Sequence, residues 1–442
     1  MNAREVALKI LNAIYLEQAY AHVALAKEFR RLHLDDQDRR FITELVYGTV
    51  KAGDTLDWML RQYVDRPVKK IAPVICNILR LGLYQIFFMD KVPESAACNQ
   101  SVELAKIYGH AGTVKFVNAV LRSAVREPAK AEFPSGKGQA TKNLALACQH
   151  PEWLVKRWIK EFGYDSAVRL CQFNNTNAIL SFRTNTLKNS RESLVESLEQ
   201  AGAKIMVSDW APEGLLCTEH PSLDSLLPLQ DGLCQVQDES SMLVAHVLDP
   251  KPGEFIIDTC SAPGGKTTHI AALMKNQGRI LAGDIYDHKL ERIEENAQRL
   301  GVKIIETKLL DATKVGEAYP ALADRVLVDA PCSGLGVLRR KPDSRWRNKE
   351  ELLKTLPSLQ LEILTSAAKA VKKGGVLVYS TCTIAREENQ AVVEAFLKEN
   401  DEFVLENASD YLPFIKRKEA MLQLLPQDDG TDGFFIARMK RK

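Results

Sequence analysis

Between residues 4 and 126 apolar side chains recur at helical spacing. Val6, Ile10, Leu11 and Ile14 share one helical face, and Ile75, Ile78, Leu79 and Leu83 share another. The pattern predicts a compact all-helical domain. Glu127-Pro128 and the breaker-rich stretch Phe133-Pro134-Ser135-Gly136-Lys137-Gly138 end it and put a linker near 130–140. A short helical passage follows, carrying His150-Pro151-Glu152-Trp153 and Trp158. At Ile179-Leu180-Ser181-Phe182-Arg183-Thr184-Asn185 the pattern turns to alternation, as in a strand. With a helical stretch over 190–201 and apolar pieces near Leu215 and Leu233, this predicts a small α+β module.

From about Asp238 onward, strands alternate with helices as in a doubly wound parallel sheet. Strands are expected at Phe255-Ile256-Ile257-Asp258, Arg279-Ile280-Leu281-Ala282-Gly283-Asp284, Arg325-Val326-Leu327-Val328-Asp329 and Gly375-Val376-Leu377-Val378-Tyr379-Ser380, with helices over 287–300 and 352–372 between them. The β-branched, apolar strands imply burial on both faces, and such sheets take their ligands at the carboxyl ends of the strands. The expected division is a helical domain over 1–135, linker helices and the α+β module over 136–237, and the α/β domain over 238–442.

Composition adds little to this division and excludes several alternatives. At 442 residues, 45% hydrophobic and 26% charged, the chain has the make-up of an ordinary globular protein of several domains. The net charge of +2 hides a bias, because residues 1–130 hold 19 Lys+Arg against 14 Asp+Glu. A mildly basic helical third suits a polyanionic partner and equally a solvated helical surface. The 9 cysteines are scattered without a C-x-x-C pair and the 8 histidines form no H-E-x-x-H, so neither a disulfide framework nor a metal site is expected. There is no run of about 18 apolar residues, and Met1-Asn2-Ala3-Arg4-Glu5 opens an amphipathic helix. A cytoplasmic, membrane-free monomer with reduced thiols is expected.

The reactive residue types gather at successive strand ends. Asp258-Thr259-Cys260-Ser261-Ala262-Pro263-Gly264-Gly265-Lys266-Thr267 runs from a strand into a glycine turn and a helix, where backbone N–H groups approach a ligand closely. A P-loop would need glycine where Cys260 stands, and G-x-G-x-x-G is absent, which leaves a turn for an adenosyl ligand without a pyrophosphate. Asp284 ends the second strand about 20 residues after the turn, where a carboxylate accepts from ribose hydroxyls. Asp311 ends the next strand and is a candidate for the adenine edge.

Val328-Asp329-Ala330-Pro331-Cys332-Ser333-Gly334 and Ser380-Thr381-Cys382-Thr383 place two cysteines after apolar strands, facing one crevice. Carbon-5 of a cytosine is a poor nucleophile until something adds to carbon-6 and breaks the aromatic ring. A thiolate does this best. Asp329 is a candidate to hold or protonate the ring nitrogen as charge develops, Lys266 to orient the base or the nucleophile, and a second cysteine to assist release. The spacing alone does not settle which cysteine attacks. Arg339-Arg340-Lys341, Arg345 and Arg347 around Trp346 combine phosphate-binding charge with an aromatic platform, and Arg183 and Asn185 are further candidates to face a nucleic acid.

At these residues the sequence resembles the RNA 5-methylcytosine methyltransferases, in particular the bacterial Sun/Fmu (RsmB) branch that acts on small-subunit ribosomal RNA. The resemblance rests on the glycine turn Cys260 to Lys266, on Asp329-Ala330-Pro331-Cys332, on Thr381-Cys382 and on Arg340-Lys341-Pro342-Asp343 with Trp346, and it covers nearly the whole chain. Ser261 departs from the alanine common in that family. The resemblance implies S-adenosylmethionine as methyl donor, held by Cys260, Ser261, Ala262, Pro263, Gly264, Gly265, Lys266, Asp284, Asp311 and Asp329. It also implies 16S ribosomal RNA as substrate, Cys382 as nucleophile and Cys332 in release. The helical third is similar to the antitermination factor NusB at Asp38-Arg39-Arg40-Phe41, Leu45-Val46-Tyr47-Gly48 and Asn118-Ala119-Val120-Leu121-Arg122. The expected fold is thus a NusB-like all-α domain, a small α+β module and a Rossmann-like α/β methyltransferase domain. Transfer RNA as the substrate, or an RNA-binding assembly factor with a vestigial transferase domain, are the alternatives.

Overall fold

The computed structural model describes every residue except Met1 and His33. The chain forms two compact units, one of Met1–Thr176 with Leu338–Asn348, the other of Asn177–Val337 with Lys349–Lys442.

The first unit is helical. Six main helices, Ala3–Leu16, Ala21–Arg31, Asp36–Arg61, Pro73–Phe88, Glu94–Tyr108 and Ala111–Arg126, bury one continuous core that includes Val6, Ile10, Leu11, Ile78, Leu79 and Leu83. Asn2 and Asp35 cap two of these helices by accepting from the Arg4 and Asp38 amides. Gly48 lets the longest helix approach the fourth, since a Cβ there would sit 1.9 Å from the Tyr84 hydroxyl. Ala140–Ala147, Glu152–Phe162 and Tyr164–Phe173 add three shorter helices to the same unit.

The basic segment expected to reach RNA belongs to this helical unit and is largely consumed by it. Arg345 is fully buried, donating to the carbonyls of Gln149 and Asn174 and to Asn175 Oδ1. Trp346 Nε1 donates to the Lys51 carbonyl at 3.1 Å, and Arg347 donates to the Gln18 and Ala19 carbonyls with its guanidinium 4.5 Å from the Tyr20 ring centre. Arg339 lies over Phe173. A burst of Arg and Trp reads in sequence as a nucleic-acid platform, yet buried carbonyls at helix ends call for the same donors.

The second unit contains two sheets. Its strands are β1 Leu180–Thr184, β2 Lys204–Val207, β3 Gly214–Glu219, β4 Cys234–Val236, β5 Phe255–Asp258, β6 Arg279–Asp284, β7 Ile305–Leu309, β8 Ala323–Asp329, β9 Val371–Thr381, β10 Phe403–Glu406, β11 Met421–Leu424 and β12 Phe434–Arg441. The small sheet is antiparallel, in the order β2-β3-β1-β4. In the large sheet, ordered β10-β12-β9-β8-β5-β6-β7 with β11 on β12, strands β7, β6, β5, β8 and β9 run parallel. β12 is antiparallel to β9, β10 and β11. At the end of β12, Arg441 donates to the Val371 carbonyl and pairs with Glu402. Apolar clusters cover both faces of the sheet, as its β-branched strands require.

Candidate active site

The site is assembled at the carboxyl ends of β5, β6, β8 and β9. Gly264, at φ +95°, precedes the helix Gly265–Leu273 that follows β5, a backbone conformation that suits glycine. Ser261 ties the turn down, its hydroxyl donating to the Asp258 carbonyl at 2.7 Å and to the Gly283 carbonyl at 3.1 Å. Ala262 packs towards Leu290 and Ile293, Pro263 is exposed, and the Cys260 thiol is pushed up to about 12 by burial. Asp258, behind the turn, accepts from the Thr267 hydroxyl at 2.7 Å, and burial raises its carboxyl to about 7.

Arg183 and Asn185 lie on the inside of this arrangement rather than on a substrate face. Arg183 is buried, donating to Gln237 Oε1, the Gly265 carbonyl and Thr268 Oγ1, so the small sheet holds the glycine turn from behind. Asn185 Nδ2 donates to the Gly232 and Leu300 carbonyls. An arginine on an alternating strand looks like a surface charge, and only tertiary structure shows which carbonyls it answers.

Asp284 is mostly buried at the end of β6, accepting from the Tyr286 amide and lying 3.4 Å from Lys289 Nζ. Asp311 caps a short turn by accepting from the Thr313 amide and hydroxyl, bonds that hold its carboxyl below the usual range. The left-handed glycine opening a helix and the acidic residue ending the neighbouring strand fit an adenosyl ligand.

The four expected catalytic residues converge. Lys266 Nζ donates to Asp329 Oδ2 at 2.7 Å, Ser380 Oγ donates to Asp329 Oδ1 at 2.8 Å, and the Sγ atoms of Cys332 and Cys382 are 3.3 Å apart. Burial alone would lower the Lys266 ammonium, but Asp329, with help from Cys382, carries it above its ordinary value. The Cys332 thiol is pushed well up by its contact with Cys382, by burial and by the Glu388 carboxylate. Gly336 allows the loop after Cys332 to meet the loop before β12, since a Cβ there would lie 2.1 Å from the Gly433 carbonyl oxygen.

Sequence reasoning missed two groups. Glu388 and Asn389 are fully buried beside the cysteine loops, although Arg386-Glu387-Glu388-Asn389 reads as a solvated charged turn. Glu213, His246 and His269 come together from distant stretches: His246 Nε2 lies 3.0 Å and His269 Nε2 2.5 Å from Glu213 Oε1. Burial lowers His269 to about 4, while the two imidazoles hold the Glu213 carboxyl well below its usual range against its own burial.

Family models match along the chain: the 16S rRNA methyltransferase RsmB/F model over residues 245–440, the NusB family model over 1–126, and the ferredoxin-like domain of RsmF/B-like methyltransferases over 150–224. The probable ribosomal RNA small subunit methyltransferase B of Bacillus subtilis (strain 168) is 40% identical over 450 residues, covering 100% of this chain and 99% of the relative. The crystal structure of PH0851 matches with a TM-score of 0.85 at 29% identity, covering 100% of this chain and 99% of that one. NSun6 from Pyrococcus horikoshii with SFG matches with a TM-score of 0.60 at 28% identity, over 66% of this chain and 98% of that one. With a relative so similar from end to end and a NusB domain ahead of the transferase domain, the chain belongs to the RsmB/F family of 16S rRNA methyltransferases.

Proposed function

We propose that the protein methylates carbon-5 of a cytosine in 16S ribosomal RNA, with Cys382 as covalent nucleophile and Cys332 as the group that assists release. The observation that carries this reading is the cysteine pair 3.3 Å apart at the ends of neighbouring strands, next to the Asp329–Lys266 ion pair. Within the pair, attack by Cys382 and assistance of release by Cys332 are assigned from the family resemblance at Thr381-Cys382 and Pro331-Cys332.

S-adenosylmethionine supplies the methyl group, and the turn from Cys260 to Lys266, with Asp284 and Asp311, is assigned to hold it. The target base leaves its stack to enter the site. The Cys382 thiolate adds to carbon-6, breaking the carbon-5–carbon-6 π bond and placing negative charge on carbon-5 and the ring nitrogen. Asp329 accepts from the base's exocyclic amino group to hold the ring edge, and the neighbouring Lys266 ammonium offsets the developing charge. Lys266, on one oxygen of Asp329, and Ser380, on the other, fix that carboxylate. Carbon-5 takes the methyl, loses its proton to a base, and the carbon-6–sulfur bond then breaks to restore the aromatic ring, with Cys332 assisting.

In the helical unit, Lys115, Arg122 and Arg126 are exposed along adjoining grooves, the larger about 560 Å³, lined by the helices Glu94–Tyr108 and Ala111–Arg126. These cations are assigned to RNA phosphates. Bisulfite sequencing of RNA from a strain lacking the gene tests the whole reading. One 16S cytosine should lose its protection and regain it on complementation. Loss at a transfer RNA site with 16S unchanged would overturn it.

A further inference from the structure

Four donors converge on one fully buried carboxylate next to the cysteine pair. Glu388 Oε2 accepts from the Ser333 amide at 2.8 Å and from Gln360 Nε2 at 3.0 Å; Oε1 accepts from the hydroxyls of Ser333 and of Thr383, the latter at 3.2 Å. Ser333 directly follows Cys332, and Thr383 directly follows Cys382. Gln360 Nε2 also donates to the carbonyl of Pro331, the residue before Cys332, at 2.9 Å. Asn389 does the same for the other loop: its Oδ1 accepts from the Thr381 hydroxyl at 2.5 Å, and its Nδ2 donates to the Thr383 carbonyl at 3.0 Å. The Ser333 and Thr383 hydroxyls are themselves 2.9 Å apart, and the Tyr379 hydroxyl donates to the Glu388 carbonyl at 2.6 Å. The residues on both sides of each cysteine are therefore bound into one network.

A carboxylate in this place is costly to bury, and its chemistry explains its presence. A carboxylate accepts at both oxygens and so takes the two N–H groups on one and the two hydroxyls on the other. Glutamine has the same shape but carries no charge to strengthen these bonds, and its NH2 group would turn the two hydroxyls from donors into acceptors.

We propose that Glu388, seconded by Asn389, is the positioning residue that sets the separation of Cys332 and Cys382 on which release of the methylated RNA depends. This rests on the reading of the two cysteines as nucleophile and release group. Glu388 reaches neither sulfur's reacting partner. It acts through Ser333 and Thr383, holding the two loops at the spacing at which one sulfur can assist the departure of the other from carbon-6.

The test uses the full chain, with Glu388→Gln, Ser333→Ala and Cys332→Ala variants. A bifunctional thiol alkylator short enough to bridge adjacent sulfurs reports the separation, read by peptide mapping of the 332–382 bridge. Loss of the Glu388 charge by itself would make the Cys332 thiol more reactive, so slower bridging reads spacing and not reactivity. Covalent protein–RNA complex formed with unmodified 16S RNA and S-adenosylmethionine reports release. Bridging in Glu388→Gln should slow on the order of tenfold, and the covalent complex should linger as in Cys332→Ala, with equilibrium binding of RNA in the absence of methyl donor and binding of S-adenosylmethionine unchanged within about twofold. A merely structural residue would lower all of these together. Ser333→Ala, which removes one of the four bonds to Glu388, should give a smaller effect in the same direction. Should Glu388→Gln not fold, Ser333→Ala carries the same comparison. Bridging at the wild-type rate in a folded variant overturns the proposal. So does slowed bridging with normal release while Cys332→Ala retains the complex. If Cys332→Ala itself releases normally, the reading of the cysteines has failed and the dependence of release on their spacing falls with it.

Discussion

Lys266 Nζ is 2.7 Å from Asp329 Oδ2, joining the first turn of the helix after β5 to the end of the neighbouring strand β8. The two side chains retain only 15% and 27% of their accessible surface, so their attraction is weakly screened, and the ammonium also lies 5.1 Å from the Phe434 ring centre. One ion pair thus ties the glycine turn to the carboxylate assigned to the base.

Replacing the cation should affect chemistry more than substrate binding. Lys266→Met should slow covalent attack in single-turnover assays by about 10²-fold, the scale of losing one preorganised electrostatic group. Lys266→Arg, which keeps a charge on Asp329, should recover part of the rate. Equal rates for Met, Arg and wild type would show that the ion pair is bystander structure.

Asp284→Ala should weaken S-adenosylmethionine binding by one or two charge-assisted hydrogen bonds, each worth about 1.5 to 3 kcal/mol. Titration calorimetry reads this directly. Unchanged affinity would remove Asp284 from the ribose position and leave it as the partner of Lys289.

The strand-and-helix frame of the transferase domain was legible because its signals are local. β6 at Arg279–Asp284 and the helix Asp287–Leu300 fall where a short apolar run and helical spacing put them. The β10-β12-β11 extension was not legible, because β10 and β11 are four residues each and β12 ends in Arg438-Met439-Lys440-Arg441, a charged run. Strand ends supplied Lys266, Asp329, Cys332 and Cys382, since reactive side chains after apolar strands share one edge of a parallel sheet. Buried polar partners stayed hidden. Arg183, Arg345 and Glu388 each look like surface charge, and what buries them is a set of carbonyls or donors brought in from elsewhere in the chain.

Acid should loosen the Glu213–His246–His269 cluster. His269, lowered from 6.5 to about 4 in the folded protein, binds its proton more readily when unfolded, so the stability tied to its neutral form is present above about pH 6.5 and lost as pH falls towards 4. Glu213, also lowered, acts in the same direction below its unfolded value of 4.5. Asp258, raised to about 7, acts in the opposite direction over part of this range, so wild type must be compared with a variant rather than with itself. The stability advantage of wild type over His269→Gln should shrink by about 3 kcal/mol between pH 7 and pH 4. Denaturant melts showing a constant gap would contradict the buried, neutral imidazole.

Lys115, Arg122 and Arg126 should govern the salt dependence of RNA binding without touching chemistry. Removing one cation from a phosphate flattens the slope of log affinity against log salt by about 0.7 for single-stranded RNA, so the triple alanine variant should flatten it by up to about 2. Point changes are the right probe, because removing residues 1–135 would strip Lys51, Gln18 and Ala19 from Trp346 and Arg347. An unchanged slope in the triple variant would make this surface a protein-docking or stabilising face.

The assignment of the nucleophile is tested most directly by trapping on 16S RNA that carries 5-fluorocytosine at the target, where fluorine blocks loss of the carbon-5 substituent and so blocks elimination. With S-adenosylmethionine present, wild type and Cys332→Ala should both form a covalent complex stable to denaturing electrophoresis, and Cys382→Ala should form none. A complex that persists in Cys382→Ala and disappears in Cys332→Ala would reverse the roles of the two sulfurs.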